Sequence, residues 1–125
     1  MALFLVILVM GIIDIGRAIF TDISIQEAAQ EGAFYGAFEP GVTVAQIEQR
    51  AVDSTSSPAL TTADVAVSCV EETRPKKSGS RVTVTVTHEL QLLTPIIGPW
   101  FGGAMDLEKT AEAERFFEDC PPSVA

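Results

Sequence analysis

The chain has little of what most catalytic and metal-binding sites require. His88 is the one histidine among 125 residues, and the two cysteines, Cys69 and Cys120, lie far apart with no CxxC spacing. Structural zinc sites usually take their ligands from closely spaced Cys and His pairs, which argues against such a site here. No P-loop, G-x-S-x-G turn or Cys–His pair is present. The sequence therefore predicts a protein that is not an enzyme and that carries no metal or cofactor.

Basic residues are also scarce, because 8 Lys and Arg stand against 17 Asp and Glu, which gives a net charge of −9. A surface of that sign repels nucleic acid and anionic lipid, so neither is an expected partner of the globular part. A catalytic carboxylate pair needs burial that separates its two pKa values, and nothing in the pattern implies it. No small-molecule substrate is evident either.

The first ten residues, "MALFLVILVM", contain no charge, proline or glycine. A membrane-spanning helix needs about 20 apolar residues, and residues 1–20 just suffice. A secretory signal peptide would carry basic residues before its apolar run, whereas the first one here is Arg17. Core helices are seldom apolar on every face. The pattern favours a helix able to span a membrane, with the core helix and the signal segment as alternatives.

Two charges, Asp14 and Arg17, interrupt the end of this run in "GIIDIGRAIF". An ionisable residue in a membrane helix costs roughly 2.5–3.5 kcal/mol on insertion scales and normally has a partner. Residues three apart lie on one helix face, so the two charges are able to pair. Two explanations stay open: the pair fixes the axial register of packed helices, or it marks the lipid boundary with Arg17 reaching outward.

No proline occurs before Pro40, so the sequence predicts one helix from about Ala2 to Phe38, roughly 55 Å long at 1.5 Å per residue. Small residues recur every four positions in its second half, and such rows let another helix backbone approach closely. The alternative is a loosely specified helix end. The two rows are Ala28, Gly32 and Gly36, and Ala29, Ala33 and Ala37.

The next segment predicts a short helix followed by strands. Thr43 and Gln46 fit a capping box at the start of a helix of about ten residues. "DVAVSCV" and "RVTVTVTHE" alternate apolar and polar residues, which indicates half-buried strands. The polar stretch between them, "EETRPKKSGS", is expected to be a solvated turn.

For each of two later segments the sequence allows two predictions. "LQLLTPIIGPWFGG" is apolar but is interrupted by prolines and glycines, so it is expected either to cover the core or to lie at a membrane or subunit interface. Trp100 suits such an interface because its ring is apolar and its N–H polar. For residues 106–117, propensity favours a helix, whereas alternating charges favour an edge strand.

Cys69 lies in a predicted strand and Cys120 near the end of the chain. If this acidic part is exported, a disulfide that fastens the C-terminal segment to the strand is expected, since exported domains permit disulfides. The alternative is two unlinked thiols.

The stretch "GIIDIGRAIF" followed by "QEAAQEGAFYGA" resembles the N-terminal signature of TadE-like proteins, the pilin-like components of the tight-adherence (Flp) pilus system. "VTVTVTHELQLLTPIIGPWFGG" is similar to that family's strand and interrupted apolar segment. The resemblance implies a pilin-like α+β fold, with a long N-terminal helix packed on a small antiparallel sheet and one further short helix. Residues 1–38 would form the membrane or filament-core helix, and residues 39–125 the acidic extracellular head.

By the same resemblance, the chain would be a structural subunit anchored in the cytoplasmic membrane before assembly, with its head outside. In the extracellular filament its partners would be copies of itself or other pilins. The alternatives are a membrane-tethered minor pilin or assembly factor, and an exported ligand-binding domain on a signal anchor. The small-residue rows favour the first two, because a simple tether needs no close-packing face.

The sequence departs from the family at its start. Such proteins are processed at a glycine shortly before a Glu-containing apolar run, but "MALFLVILVM" contains no Glu. Either Met1 lies downstream of the processing site or this chain is not processed in that way. A missing Glu gives the pair Asp14 and Arg17 more weight in any contact between subunits.

Overall fold

The computed structural model describes residues 1–74, 77–92, 104–116 and 119–122. The described elements form a helical layer on a three-stranded antiparallel sheet, so the predicted α+β fold is confirmed. In chain order they are α1 (Ala2–Phe38), α2 (Val44–Asp53), a 3-10 turn (Thr62–Asp64), β1 (Val65–Arg74), β2 (Lys77–Gln91) and β3 (Ala104–Phe116).

The first helix, α1, runs without a break for 37 residues between the predicted ends. In its last turn, the N–H of Glu39 donates a hydrogen bond to the carbonyl of Tyr35 at 3.1 Å. Glu39 itself is extended, because the following Pro40 disfavours helical geometry at the residue before it. Gly41 then turns the chain with a φ of 73°, a conformation that glycine adopts without steric cost.

The second helix, α2, begins with the predicted capping box. The N–H of Gln46 donates to Thr43 Oγ1 at 3.3 Å, and the N–H of Thr43 donates to Gln46 Oε1 at 2.9 Å. The N–H of Val44 is a third donor at this helix start, and it donates to the carbonyl of Pro122, near the C-terminus, at 3.0 Å. The C-terminal segment therefore completes the hydrogen bonding of this helix start.

The strands are ordered β1-β2-β3, and β3 answers the question left open for residues 106–117. Thr110 lies opposite Thr85, and the pairing of β3 with β2 runs from Ala104 to Phe116. As far as Phe116 this segment is therefore a strand, and its alternating charges lie on the face turned away from α1. Residue 117 lies outside the described residues. Backbone pairing with β2 overrides a helix propensity that acts only locally.

Strand pairing also extends into the stretch predicted as a solvated turn. The ladder between β1 and β2 continues to Arg74 opposite Lys77, so most of residues 71–80 is strand and the turn prediction was wrong there. Antiparallel pairing uses backbone groups, so it continues where no apolar alternation reveals it. The apolar stretch predicted to cover the core or an interface lies largely outside the described residues, as does Trp100.

One face of the sheet packs on the helices and forms the core. Val82, Val84 and Val86 of β2 are fully buried, together with Ile25 of α1 and Ile47 of α2. Each such side chain contributes roughly 1.5–3 kcal/mol through its removal from water. The upper half of α1, residues 21–38, therefore supplies part of this core.

The small residues of α1 allow this packing. A Cβ added at Gly32 would lie 3.1 Å from Ala51 Cβ and 3.3 Å from Val84 Cγ1. One added at Gly36 would lie 2.7 Å from Cδ1 of Ile47. Small side chains thus let α2 and β2 approach α1 closely.

The structure shows which helix packs against the two small-residue rows. Five of their members are buried within the chain, and Ala37 is half-buried: the buried ones are Ala28, Ala29, Gly32, Ala33 and Gly36. A second helix does approach, but it is α2 of the same chain. The five buried members are therefore not available to another copy of the protein.

A large side chain at Gly32 is expected to destabilise the head. Gly32→Leu would force Ala51 and Val84 apart, and overpacking of this kind typically costs about 1–3 kcal/mol. Thermal unfolding of the full chain in detergent, followed by circular dichroism, measures the loss. Gln30→Leu places the same side chain on the exposed side of α1 and should change stability by less than about 0.5 kcal/mol. Equal losses in both variants would contradict this packing.

A disulfide joins Cys69 of β1 to Cys120, with 5.7 Å between the two Cα atoms. Cys69 packs against the hydrophobic core, and the next residue after Cys120, Pro121, is buried. The disulfide therefore holds the C-terminal segment beside the start of α2, where Pro122 accepts its hydrogen bond.

Loss of this disulfide should lower the stability of the head. The bond closes a loop with a sequence separation of 51, for which the chain-entropy model gives about 4 kcal/mol. Cys120→Ala should lose stability of that order in urea unfolding, whereas Ser68→Ala, a change at an exposed neighbour, should not. Mass spectrometry without reductant should show the two cysteine peptides linked in the native chain. Two freely alkylated thiols would contradict the pairing.

Candidate functional site

The lower half of α1, residues 2–20, presents apolar side chains to every side. Leu3 is 75% exposed, Phe4 64% and Ile12 61%. The most apolar 18-residue window of the helix has a mean hydropathy of 2.4, and only 6% of it is buried. A core helix would be mostly buried, so that alternative does not hold for this half. By length and composition α1 is able to cross a membrane.

The charged pair lies where this half meets the head. Asp14 is only 4% exposed, although its neighbours Ile13 and Ile15 are 47% and 58% exposed. Arg17 Nη1 lies 3.6 Å from Asp14 Oδ1 and also donates to the carbonyl of Gln91 at 3.2 Å. Gln91 is the last residue of β2. The pair therefore faces the sheet, and Arg17 fastens the helix to the end of the central strand.

A second ion pair links the same regions one turn higher on the helix. Lys109 of β3 places its Nζ 3.1 Å from Asp22 Oδ2 of α1, and the two side chains are 31% and 40% exposed. Together with the bond from Arg17 to Gln91, this contact aligns the lower end of the sheet with residues 17–22 of the helix.

The sheet face turned away from α1 is polar. The outward side chains of β3 include Asp106, Glu108, Glu112 and Glu114, which are exposed. Arg81 of β2 lies 3.9 Å from Glu112 and 3.6 Å from Glu114. Among the described residues, no group of three or more His, Cys, Asp or Glu side chains is placed to hold a metal ion.

A groove of about 610 Å³ lies between α1 and α2, lined by Glu27, Gln30, Glu31, Phe34, Arg50, Asp53 and Ser54. Arg50 bonds to Glu31 at 2.7 Å, and its guanidinium lies 5.5 Å from the centre of the Tyr35 ring. The hydrogen bond with Glu31 is the main cause that raises the pKa of Arg50. Arg50 and Glu31 are thus paired with each other, and none of the lining residues is a buried polar group that would orient a ligand.

The helix with its charged pair also matches a protein family model. Residues 1–33 match the family model of TadE-like proteins. The TadE-like match thus confirms the resemblance noted for "GIIDIGRAIF" and for the start of the stretch after it. It ends before the strands, so the resemblance noted for residues 82–103 lies outside it. No curated protein and no solved structure matches the chain.

The TadE-like match and the apolar helix together indicate a Tad pilus-associated protein that is membrane-anchored or exposed at the cell surface. The TadE-like family implies, in general terms, pilins or other parts of the pilus machinery as partners. Sequence reasoning singled out Asp14 and Arg17 but not Gln91. The group that Arg17 binds is a backbone carbonyl, which any residue offers, so no sequence signal could have identified it.

Removal of Arg17 should loosen the lower end of the sheet. Arg17→Met would break the bond to Gln91 and take this cation from the buried Asp14, at a cost of about 1–3 kcal/mol. Hydrogen exchange in peptides covering the end of β2 should become faster. Arg50→Met is the control, since Arg50 and Glu31 are 53% and 42% exposed and exposed ion pairs contribute little. Equally fast exchange at the end of β2 in the two variants would contradict a structural role for the Arg17 contact.

Proposed function

We propose that this chain is a pilin-like structural subunit of a Tad (Flp)-type pilus. One observation carries the proposal, the division of a single unbroken helix into two halves. The lower half has exposed apolar side chains, and the upper half supplies part of the core of an acidic head. A pilin-like subunit needs these two halves in one rigid element. The lower half is stored in lipid before assembly and is then covered by neighbouring helices in the filament.

The proposed location follows from the same division. The helix would anchor the chain in the cytoplasmic membrane, and the head would lie outside, where a disulfide between Cys69 and Cys120 persists. After assembly the head would lie on the surface of the filament. A net charge of −9 keeps such heads soluble and makes nucleic acid an unfavourable partner.

A membrane-tethered minor pilin or assembly factor is the second candidate, and one observation favours it. The small-residue rows of α1 pack inside the head against α2 and β2, so they give no support to a packed polymer of copies. An exported ligand-binding domain has less support. The residues that line the groove between α1 and α2 include no buried polar group, and two of its charges, Arg50 and Glu31, are paired with each other.

The amount of the chain in filaments distinguishes these functions. Cells that lack the chain should form no surface filaments, and complementation with the intact chain should restore them, as seen by electron microscopy. Quantitative mass spectrometry of sheared filaments should find the chain at a level comparable to the main subunit. A level far below that would identify a minor component, and normal filaments without the chain would refute the proposed function.

A further inference from the structure

The central strand, β2, runs down the side of α1 until it reaches the apolar half of the helix. An added Cβ at Gly36 would lie 3.2 Å from Val82 Cγ1, and Arg17 donates to the carbonyl of Gln91 at 3.2 Å. From Gly36 to Arg17 the helix advances about 29 Å at 1.5 Å per residue. From Val82 to Gln91 the strand advances about 30 Å at 3.3 Å per residue. Helix and strand therefore run side by side in opposite directions.

The sheet thus ends level with Arg17. Gln91, the last residue of β2, pairs with Ala104, the first residue of β3, so both strands reach the same height. The residues that join them, 93–103, contain no charged side chain, and the described chain leaves and returns at this height. We call this end of the sheet the lower rim, and its described residues are all uncharged: Gln91, Leu92, Ala104 and Met105.

The same level of α1 is where the hydrocarbon of a membrane has to end. Ile12, Ile15 and Ile19 are 57–61% exposed, so the apolar surface of the helix continues to Arg17 and just past it. Charged groups are costly in hydrocarbon, which therefore ends near Arg17. A bilayer core of about 30 Å lies between headgroup layers that bring the total to about 40–45 Å, so each layer is roughly 5–8 Å deep. Asp22 lies about 8 Å above Arg17 at 1.5 Å per residue, so the headgroup layer spans this part of the helix.

The burial of Asp14 shows that the head reaches down to this layer. Asp14 is only 4% exposed, although Ile13 and Ile15 on either side of it are 47% and 58% exposed. It lies one turn below Arg17, so on the side of the sheet the fold covers the helix at least this far down. A head held clear of the membrane would leave this turn in water, with both isoleucines exposed to it.

We infer that the lower rim rests in the lipid headgroup layer and gives the head a second contact with the membrane, beside the helix. This inference depends on the membrane anchor of the proposed function and not on assembly into filaments. Arg17 holds the end of β2, and Lys109 of β3 pairs with Asp22, so helix and sheet are fastened together at this level. Two contacts on one fastened unit would fix the direction in which the head stands on the membrane before assembly.

The charges near the lower rim identify the kind of lipid surface. Glu89 and Asp106 lie opposite each other two residues above the end of the sheet, and both are exposed. Arg17 and Lys109 are already paired with carboxylates of α1. Exposed carboxylates are repelled by an anionic surface. The lower rim therefore fits zwitterionic headgroups, and anionic lipid should weaken the contact.

The test measures the depth of the lower rim with the full chain in phosphatidylcholine vesicles. Gln91→Cys carries a fluorescent dye, and Arg17 binds the backbone carbonyl of residue 91, so the substitution leaves that bond in place. The native cysteines are joined to each other and do not take the dye. Thr87→Cys is the matched control, because Thr87 is exposed on the same face of β2 and about 13 Å higher at 3.3 Å per residue. Phosphatidylcholine with a nitroxide on its headgroup should quench most of the fluorescence at residue 91 and little at residue 87.

A dye on Leu8→Cys separates failure of this inference from failure of the anchor. Leu8 is 45% exposed in the lower half of α1, so nitroxides on the acyl chains should quench this dye if the helix lies in lipid. Quenching at residue 8 without quenching at residue 91 would overturn the inference and leave the anchor intact. No quenching at residue 8 would refute the anchor, and with it the proposed function.

Two further results would contradict the lower rim as the contact. Equal quenching at residues 91 and 87 would show that the head lies on the outer face of its sheet. Stronger quenching at residue 91 after phosphatidylglycerol is added would show that anionic headgroups are preferred, against the charges of Glu89 and Asp106.

Discussion

The close contact between the upper half of α1 and the valine face of β2 is the constraint on which the rest of this structure depends. Gly32 and Gly36 leave space for Val84, Val82 and the side chain of Ile47, so that helix and sheet form one compact core. Larger residues at these two positions would separate the two layers, and the helix could no longer serve as both core element and anchor.

The same contact divides α1 into two environments. Above residue 24 the helix buries small residues against the sheet, whereas the turns below Arg17 have exposed apolar side chains around most of the helix. The charged pair, Asp14 and Arg17, lies where the helix passes from one environment to the other. Asp14 is buried on the side of the sheet and Arg17 holds the end of β2, so these charges connect the two environments rather than only marking a boundary.

Acidic groups are kept away from this core by strand alternation. Odd-numbered residues of β3 face the helix and include Leu107, Ala111 and Ala113, while the even-numbered carboxylates face outward. The C-terminal segment then crosses back to β1 through the disulfide and reaches the start of α2. The head is thus held by apolar packing inside and by one covalent link at its edge.

Much of this architecture was determined by local signals in the sequence. The absence of proline before Pro40 fixed the extent of α1, the Thr43 and Gln46 pair fixed the start of α2, and alternation fixed the core face of β2. The tertiary structure decided what those signals could not. Residues 106–116 became a strand because β2 offered backbone partners. The small-residue rows packed against α2 and β2 because the fold brought those elements there. The partner of Arg17 is a backbone carbonyl 74 residues away, and only folding could place it within hydrogen-bond distance.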